Sequence, residues 1–270
     1  MAKGISLHIG LNRVDPAHYE GWDGTLNACE ADAHDMQALA KASGFKPMPL
    51  LLTEKATTKA VSLAIKKAAR NLAKGDIFFL TYSGHGGQVR DTNGDEKDDR
   101  MDETWVLFDR QLVDDELYAL WGGFKTGVRI LVLSDSCHSG SVVRMAPPPM
   151  ISGGPRARLM PRAVCEKVEA AHQALYREIQ AAHPGAEQAR VKASVLLISG
   201  CMDNQTSLDG EHNGAFTEML LKVWNRGKFR GNYKRFRETI VSRMPASQSP
   251  NYFCVGGRNR AFEGERPFTI

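Results

Sequence analysis

A thiol and an imidazole are the two side chains of this sequence best suited to act together. Cys137 follows an apolar run, Val128–Leu133, and precedes the small residues Ser139 and Gly140, which lead into an expected helix. A thiolate there gains from the positive end of the helix dipole. A lone cysteine is more often a buried, inert hydrophobe, so the case depends on a partner. His85 follows a second apolar run, Asp76–Tyr82, and is flanked by Gly84, Gly86 and Gly87. Glycines let the backbone come close to a ligand. A cysteine and a histidine on adjacent strand ends can come within hydrogen-bond reach, the geometry a base-activated thiol requires. His138 is the rival base, but residues adjacent along a strand point to opposite faces, so it should turn away from Cys137. His8, His18, His34, His172, His183 and His212 have no such glycine setting and are read as core or surface residues.

Two acids stand near this pair. Asp135 lies two residues before Cys137, so on a strand both point to the same face. Asp32 falls in the first turn of an expected helix, where the dipole favours a carboxylate. Each has an ordinary reading, as a turn acceptor and as a helix-dipole carboxylate. Placed in one cleft, they would repel and one pKa would rise unless a cation lay between them.

The elements that must hold these residues read as an α/β chain. Strands are expected at Ile5–Gly10, Pro49–Leu52, Asp76–Tyr82, Val128–Leu133 and Val195–Ser199, and most are apolar throughout, as when helices cover both faces. Asn27 looks like an N-cap with Glu30 completing a capping box, for a helix that ends at Gly44. Val61, Ile65, Ala68 and Leu72 mark a second helix, and Asp114–Trp121 a short third. Strands alternating with helices give a mostly parallel central sheet sandwiched by helices, and such sheets bind ligands beyond the carboxyl ends of their strands. Both Cys137 and His85 sit there. Between residues 144 and 192 the character changes. Pro147–Pro149 and Gly153–Pro155 read as linker, and Val164, Val168, Ala171, Leu175 and Ile179 as one face of an amphipathic helix. Residues 222–243 carry a further helical pattern, with Phe229, Tyr233, Phe236 and Ile240 on one face.

The 270 residues are 42% hydrophobic and 24% charged, enough for a full core. One domain with an insertion and two domains are equally compatible with that length. No apolar run approaches the ~18 residues that span a bilayer, and the N-terminus lacks a secretory apolar region, so a cytoplasmic location is expected. Five cysteines without a C-x-x-C pair indicate neither a disulfide framework nor a zinc ribbon. The net charge of +4 is small but uneven: residues 91–103 carry −5 and residues 222–243 carry +7. Such faces are usually solvated surface, and a polyanion site is the sharper alternative.

The motifs Tyr82-Ser-Gly-His-Gly-Gly-Gln88 and Asp135-Ser-Cys-His-Ser-Gly140 resemble those of the metacaspases, relatives of the caspases. Two more segments are similar: Ala28-Cys-Glu-Ala-Asp-Ala33, and Ser199-Gly-Cys-Met-Asp-Asn-Gln-Thr-Ser207 with Asn213-Gly-Ala-Phe-Thr217 after it. The order matches over roughly residues 5 to 260, and the spacing of 52 from His85 to Cys137 is near the ~50 of caspase-type enzymes. The resemblance implies a caspase–hemoglobinase fold. Residues 1–143 would be a large-subunit-like catalytic region, 144–192 a linker with an amphipathic helix, and 193–270 a small-subunit-like region of the same domain. It implies a cysteine endopeptidase in which Cys137 attacks the scissile carbonyl and His85 carries the proton. The backbone N–H groups of Gly86 and Cys137 would form the oxyanion hole. Asp32, Ser83 and Asp135 would bind a basic residue at P1, the position before the cut bond. Substrates are then proteins or peptides with Arg or Lys at P1.

Many metacaspases bind activating calcium through acids that match Asp102, Asp114 and Asp115, and through an acid seven residues after the catalytic cysteine. Arg144 stands at that last position, and a guanidinium there opposes a dication, so calcium dependence is expected to be weak or absent. An EF-hand at Asp91–Asp95 is disfavoured because Glu96 stands where that loop needs glycine. Arg144, Arg156, Arg158 and Arg162 lie in or beside the linker, so the enzyme is expected to be able to cut itself there. No nucleic-acid or membrane partner is expected, and the resemblance suggests a monomer. The alternatives are a catalytically silent caspase-like scaffold and a nucleic-acid-binding protein using residues 222–243.

Overall fold

Strands whose side chains are apolar on both faces need cover on both sides, and this chain supplies it from two sets of helices. The computed structural model describes residues 2–94, 100–137, 156–184, 191–201 and 207–270. The central sheet runs β10-β9-β8-β4-β1-β2, with β3 also paired to β1. Its strands are β1 (Gly4–Gly10), β2 (Lys46–Pro47), β3 (Leu51–Leu52), β4 (Ile77–Ser83), β8 (Arg129–Asp135), β9 (Ser194–Ser199) and β10 (Asn251–Gly256). All pair in parallel except β10, which joins β9 antiparallel at the edge. The direct β8–β9 pairing carries the sheet across the linker, so segments on either side of it share one sheet.

Alternation along β4 divides the core. Phe78, Leu80 and Tyr82 face helices α2 (Thr58–Asn71) and α3 (Asp114–Gly122). Ile77 and Phe79 face α1 (Cys29–Ala42), α5 (Ala215–Trp224) and α6 (Tyr233–Val241). A smaller antiparallel sheet, β5 (Gly86–Arg90), β6 (Met101–Val106) and β7 (Gln111–Val113), stands beyond β4. Its sequence carries charges and glycines and lacks a clean period of two, which hides it from pattern reading. Helix α4 (Arg162–Ala181) packs on β5 and closes a third cluster containing Val89, Val106, Val168 and Tyr176. Helix α7 (Arg260–Gly264) follows β10.

The expected mostly parallel sheet between helices is present. Three local readings are corrected. The second strand is two short pieces, β2 and β3, which pair at separate points of β1. The 222–243 pattern is divided between two helices, because Asn225 and Arg226 adopt left-handed φ values of 46° and 51°. Tyr233, Phe236 and Ile240 are buried as their spacing implied, so those two aromatic faces are not offered to bases. Asn27 does not cap α1: the N-cap is Ala28, with no side-chain cap of its own. Asn12 caps from a distance, its Oδ1 accepting from Cys29 N at 2.9 Å and Glu30 N at 3.2 Å. Glu30 turns instead to the Thr53 hydroxyl.

Asn12→Ala is therefore expected to lower stability by about 1–2 kcal/mol, and Asn27→Ala, at an exposed position, by less than about 0.5 kcal/mol. Urea unfolding of both variants checks this, and equal losses would return the cap to Asn27.

Candidate active site

The register of the sheet sets the site. Ser83 pairs with Asp135 at the carboxyl ends of β4 and β8. His85 lies two residues beyond the first and Cys137 two beyond the second, so both follow neighbouring strand ends, although the expected hydrogen bond between them is not formed: His85 Nδ1 has no partner and the sulfur is bonded to Ser207. The strands approach closely here: a Cβ on Gly86 would lie 1.6 Å from the Cys137 carbonyl oxygen, which only glycine permits.

His85 is buried, and its Nε2 donates to the Gly24 carbonyl at 2.9 Å. That bond places the ring proton on Nε2 and leaves Nδ1, which has no partner, as the basic nitrogen. Trp22 packs on the ring with centroids 4.8 Å apart. Burial pushes the His85 pKa down to about 4, so the imidazole is neutral near pH 7. The Cys137 Sγ accepts a hydrogen bond from Ser207 N at 2.8 Å. Burial, and next the neighbouring Cys201 thiol, hold its pKa well above the ordinary thiol value. The sulfur is thus a protonated thiol, resting against Ser207. His138 and the segment expected to form a helix after Cys137 lie outside the described residues.

The acids converge on a cation from the chain itself. Arg158 is fully buried. Its Nη2 donates to Asp32 at 2.8 Å and to Asp209 at 3.0 Å. Its Nη1 reaches the Ser83 hydroxyl at 2.8 Å and the Asp135 carboxylate at 3.0 Å. Burial opposes the guanidinium charge, yet Asp135, Asp32 and Asp209 outweigh it and hold the Arg158 pKa above its usual value. Burial raises Asp32 to about 6 against the opposing pull of Arg158. Gly214 must be glycine, since a Cβ there would lie 2.5 Å from both the guanidinium and the Asp135 carboxylate.

The backbone of Arg158 is held as firmly. Its carbonyl oxygen accepts from Gly86 N at 3.0 Å and from Cys137 N at 3.2 Å, and its N donates to Ser207 O at 2.9 Å. Ala157 bridges Leu208 antiparallel, and Leu159 bridges Gly86. Residues 156–160 thus cross the cleft as an extended peptide, with the Arg158 carbonyl at the two N–H groups beside the thiol.

Of the residues singled out by sequence, His85, Gly86, Cys137, Asp32, Ser83 and Asp135 meet at this one place. Of the linker arginines, Arg158 alone among those described enters the acid pocket. Arg156 is exposed and donates to Thr25 O at 2.7 Å, and Arg162 pairs with Glu166 on the surface. Arg144 lies outside the described residues. Sequence reading missed Asp209, Gly24, Trp22 and the pairing of Cys201 with Cys137. A carbonyl such as that of Gly24 leaves no side-chain signature, whereas Asp209 stood two residues past a quoted motif.

The acids matched to a calcium site lie elsewhere, around β6 and the start of α3. The Gln180 amide donates to Asp102 at 2.6 Å, and its orientation is fixed because Oε1 accepts from Thr92 N at 2.9 Å. Asn93 donates to Asp115 at 2.9 Å, and Asp114 accepts from Asp115 N at 3.0 Å. Among the described residues no group of three or more His, Cys, Asp or Glu side chains could hold a metal ion. A donor amide on Asp102 does not fit a cation in the same place.

A thiol and an imidazole thus follow adjacent strand ends of a parallel α/β sheet, with two N–H groups on one carbonyl. Residues 14–261 match the family model described as caspase domain. Metacaspase-1 of Kluyveromyces lactis is 31% identical over 247 residues, 78% of this chain and 55% of that protein. Metacaspase-1 of Mycosarcoma maydis is 30% identical over 258 residues, 82% of this chain and 62% of that protein. The chain thus spans little more than half the length of these curated relatives. A crystal structure of a Geobacter sulfurreducens protein superposes with a TM-score of 0.91 at 54% identity, covering 99% of each chain. Caspase-1 of Spodoptera frugiperda has the same fold at 11% identity, with a TM-score of 0.52 over 94% of this chain and 86% of that one. The chain belongs to the caspase-domain peptidase family.

Asp32 has a folded pKa above its unfolded value of 3.8. Its contribution to stability is therefore full below that value and is lost as pH rises to about 6. Replacing Arg158 by Met leaves three buried carboxylates without their cation. The expected loss is about 3–5 kcal/mol near pH 8 and clearly less near pH 5, where Asp32 takes up a proton. Urea unfolding at both pH values checks this, and a loss independent of pH would contradict it.

Proposed function

We propose that this protein is a cysteine endopeptidase that cleaves after Arg or Lys and that cuts its own Arg158–Leu159 bond. The observation that carries the reading is Arg158 itself. Its side chain is buried among Asp32, Asp135 and Asp209, while its carbonyl lies on the Gly86 and Cys137 N–H groups.

The chemistry follows from those positions. The Cys137 sulfur leaves Ser207 N and turns to the Arg158 carbonyl carbon, giving its proton to His85 Nδ1. Charge developing on the carbonyl oxygen is stabilised by the two N–H donors, which already point at it. The imidazolium, oriented by Gly24 O, then protonates the Leu159 nitrogen, the C–N bond breaks, and a thioester remains. Water, deprotonated by the neutral imidazole, releases the Arg158 carboxylate and restores the thiol. An arginine fits the pocket better than a lysine, because its fork serves Asp32 and Asp209 with one nitrogen and Asp135 and Ser83 with the other. An aspartate there would face three carboxylates.

Calcium independence is part of this reading, and the amide donors on Asp102 and Asp115 support it. So is a monomeric protein in the cytoplasm, a reducing compartment: all five cysteines are free, and Cys254 is exposed. No described helix is long and apolar enough to cross a membrane.

Purified wild type should yield a fragment that begins at Leu159, while Cys137→Ala and Arg158→Gln stay intact there. Peptides ending in Arg, then Lys, should be hydrolysed at rates insensitive to a calcium chelator, and those of Cys137→Ala should fall by at least ~10³-fold. Clipping of Cys137→Ala at Leu159, preference for Asp peptides, or a rate abolished by chelator would each defeat the corresponding part.

A further inference from the structure

The peptide that crosses the cleft is not held equally on its two sides. On the acyl side, residues 156–158 depend on the Arg158 side chain and on the Arg156–Asp209 and Ala157–Leu208 backbone contacts. On the leaving-group side, Met160 N donates to Gly86 O at 2.8 Å, and the Met160 side chain is 1% exposed. It lies in the apolar cluster of Val14, Tyr19, Val89, Val106, Val168 and Tyr176. Two residues later the chain enters α4, which is pinned along its length. Gln180, fully buried, donates to Arg90 O and Asp102 and accepts from Thr92. The Tyr176 hydroxyl meets His18 Nε2 at 3.0 Å. His172 stacks on His18 with ring centroids 4.0 Å apart and bonds its carbonyl at 3.1 Å.

None of the leaving-group contacts includes the Arg158–Leu159 bond, so breaking that bond removes none of them, whereas it turns Arg158 into a free chain end held by residues 156–158 alone. We propose that self-cleavage opens only the acyl side of the cleft: Leu159 and Met160, anchored by α4, remain docked on the leaving-group side and inhibit the processed enzyme there. This rests on the peptidase reading above and adds a second level of control to it. A protein substrate must place its own two residues after the cut bond where Leu159 and Met160 lie. A reagent that occupies the acyl side alone competes only with the free Arg158 end and not with a segment anchored by α4. Displacing α4, or offering a large apolar residue at the second position after the cut, relieves the block.

Three measurements on fully processed protein test this. The first is the rate at which an amine-reactive ester labels the new Leu159 amino group. The second is alkylation of Cys137 by a peptidyl-arginine chloromethyl ketone, which needs only the acyl side. The third is kcat/KM for a peptide spanning four residues on each side of an Arg-X bond. Wild type should label at Leu159 at least ~10-fold more slowly than the same fragment in urea. Gln180→Ala and His172→Ala, which loosen α4 away from the dyad, should speed that labelling. They should also raise kcat/KM for the spanning peptide by ~10-fold or more, with alkylation changed by less than ~2-fold. A Leu159 amine as reactive as in urea, with Cys137 alkylated normally, would overturn the inference alone. Absence of alkylation would overturn the peptidase reading and the inference with it.

Discussion

A guanidinium enclosed by three carboxylates, with no access to water, is the constraint around which this molecule is arranged. Taking such charges out of solvent costs several kcal/mol per ion, and only close pairing with well-placed hydrogen bonds returns it. One arginine against three acids leaves excess negative charge, and backbone N–H groups at helix starts absorb it. Asp135 accepts from Thr217 N in the first turn of α5, Asp32 from Gly214 N just before it, and Asp209 from Asn27 N and Ala28 N where α1 begins. Two helix dipoles therefore point their positive ends at the pocket. What remains unmatched is one position for a cation, and the intact chain fills it with Arg158.

Filling that position fixes more than a side chain. With the guanidinium held, the Arg158 backbone has little choice but to lie along Ser207 and Gly86, and its carbonyl then meets the two N–H groups next to the sulfur. Binding and chemistry are separated in this state. The pocket and the carbonyl cradle are complete, while the sulfur rests on Ser207 N as a protonated thiol and the imidazole is neutral. The proposed cleavage would need only a rotation of the thiol and a proton transfer, with no rearrangement of the sheet.

Much of this was legible in the sequence, for definable reasons. Apolar strands ending in Ser-Gly-His-Gly-Gly and Asp-Ser-Cys put the imidazole and thiol at neighbouring strand ends, because register in a parallel sheet carries residues at equal offsets to equal heights. The demand of Asp32 and Asp135 for a cation followed from charge alone. What stayed hidden depends on contacts remote in sequence: Asn12 capping α1, Asp209 as a third acid, and the Gly24 carbonyl behind His85. Sequence drew attention to four linker arginines, but only tertiary packing distinguishes Arg158 from Arg156, two residues away and exposed. The small antiparallel sheet was missed because its strands are short, β5 opens on two glycines and β6 carries two acids.

The most direct test asks whether the acid pocket belongs to whichever arginine reaches it. An arginine-ended peptide should bind the Cys137→Ala/Arg158→Gln protein and raise its melting temperature, because a ligand that binds only the folded state stabilises it. The same peptide should leave Cys137→Ala, whose own Arg158 fills the pocket, unchanged. Equal binding to both proteins would mean that the peptide goes elsewhere and that Arg158 occupies no substrate site.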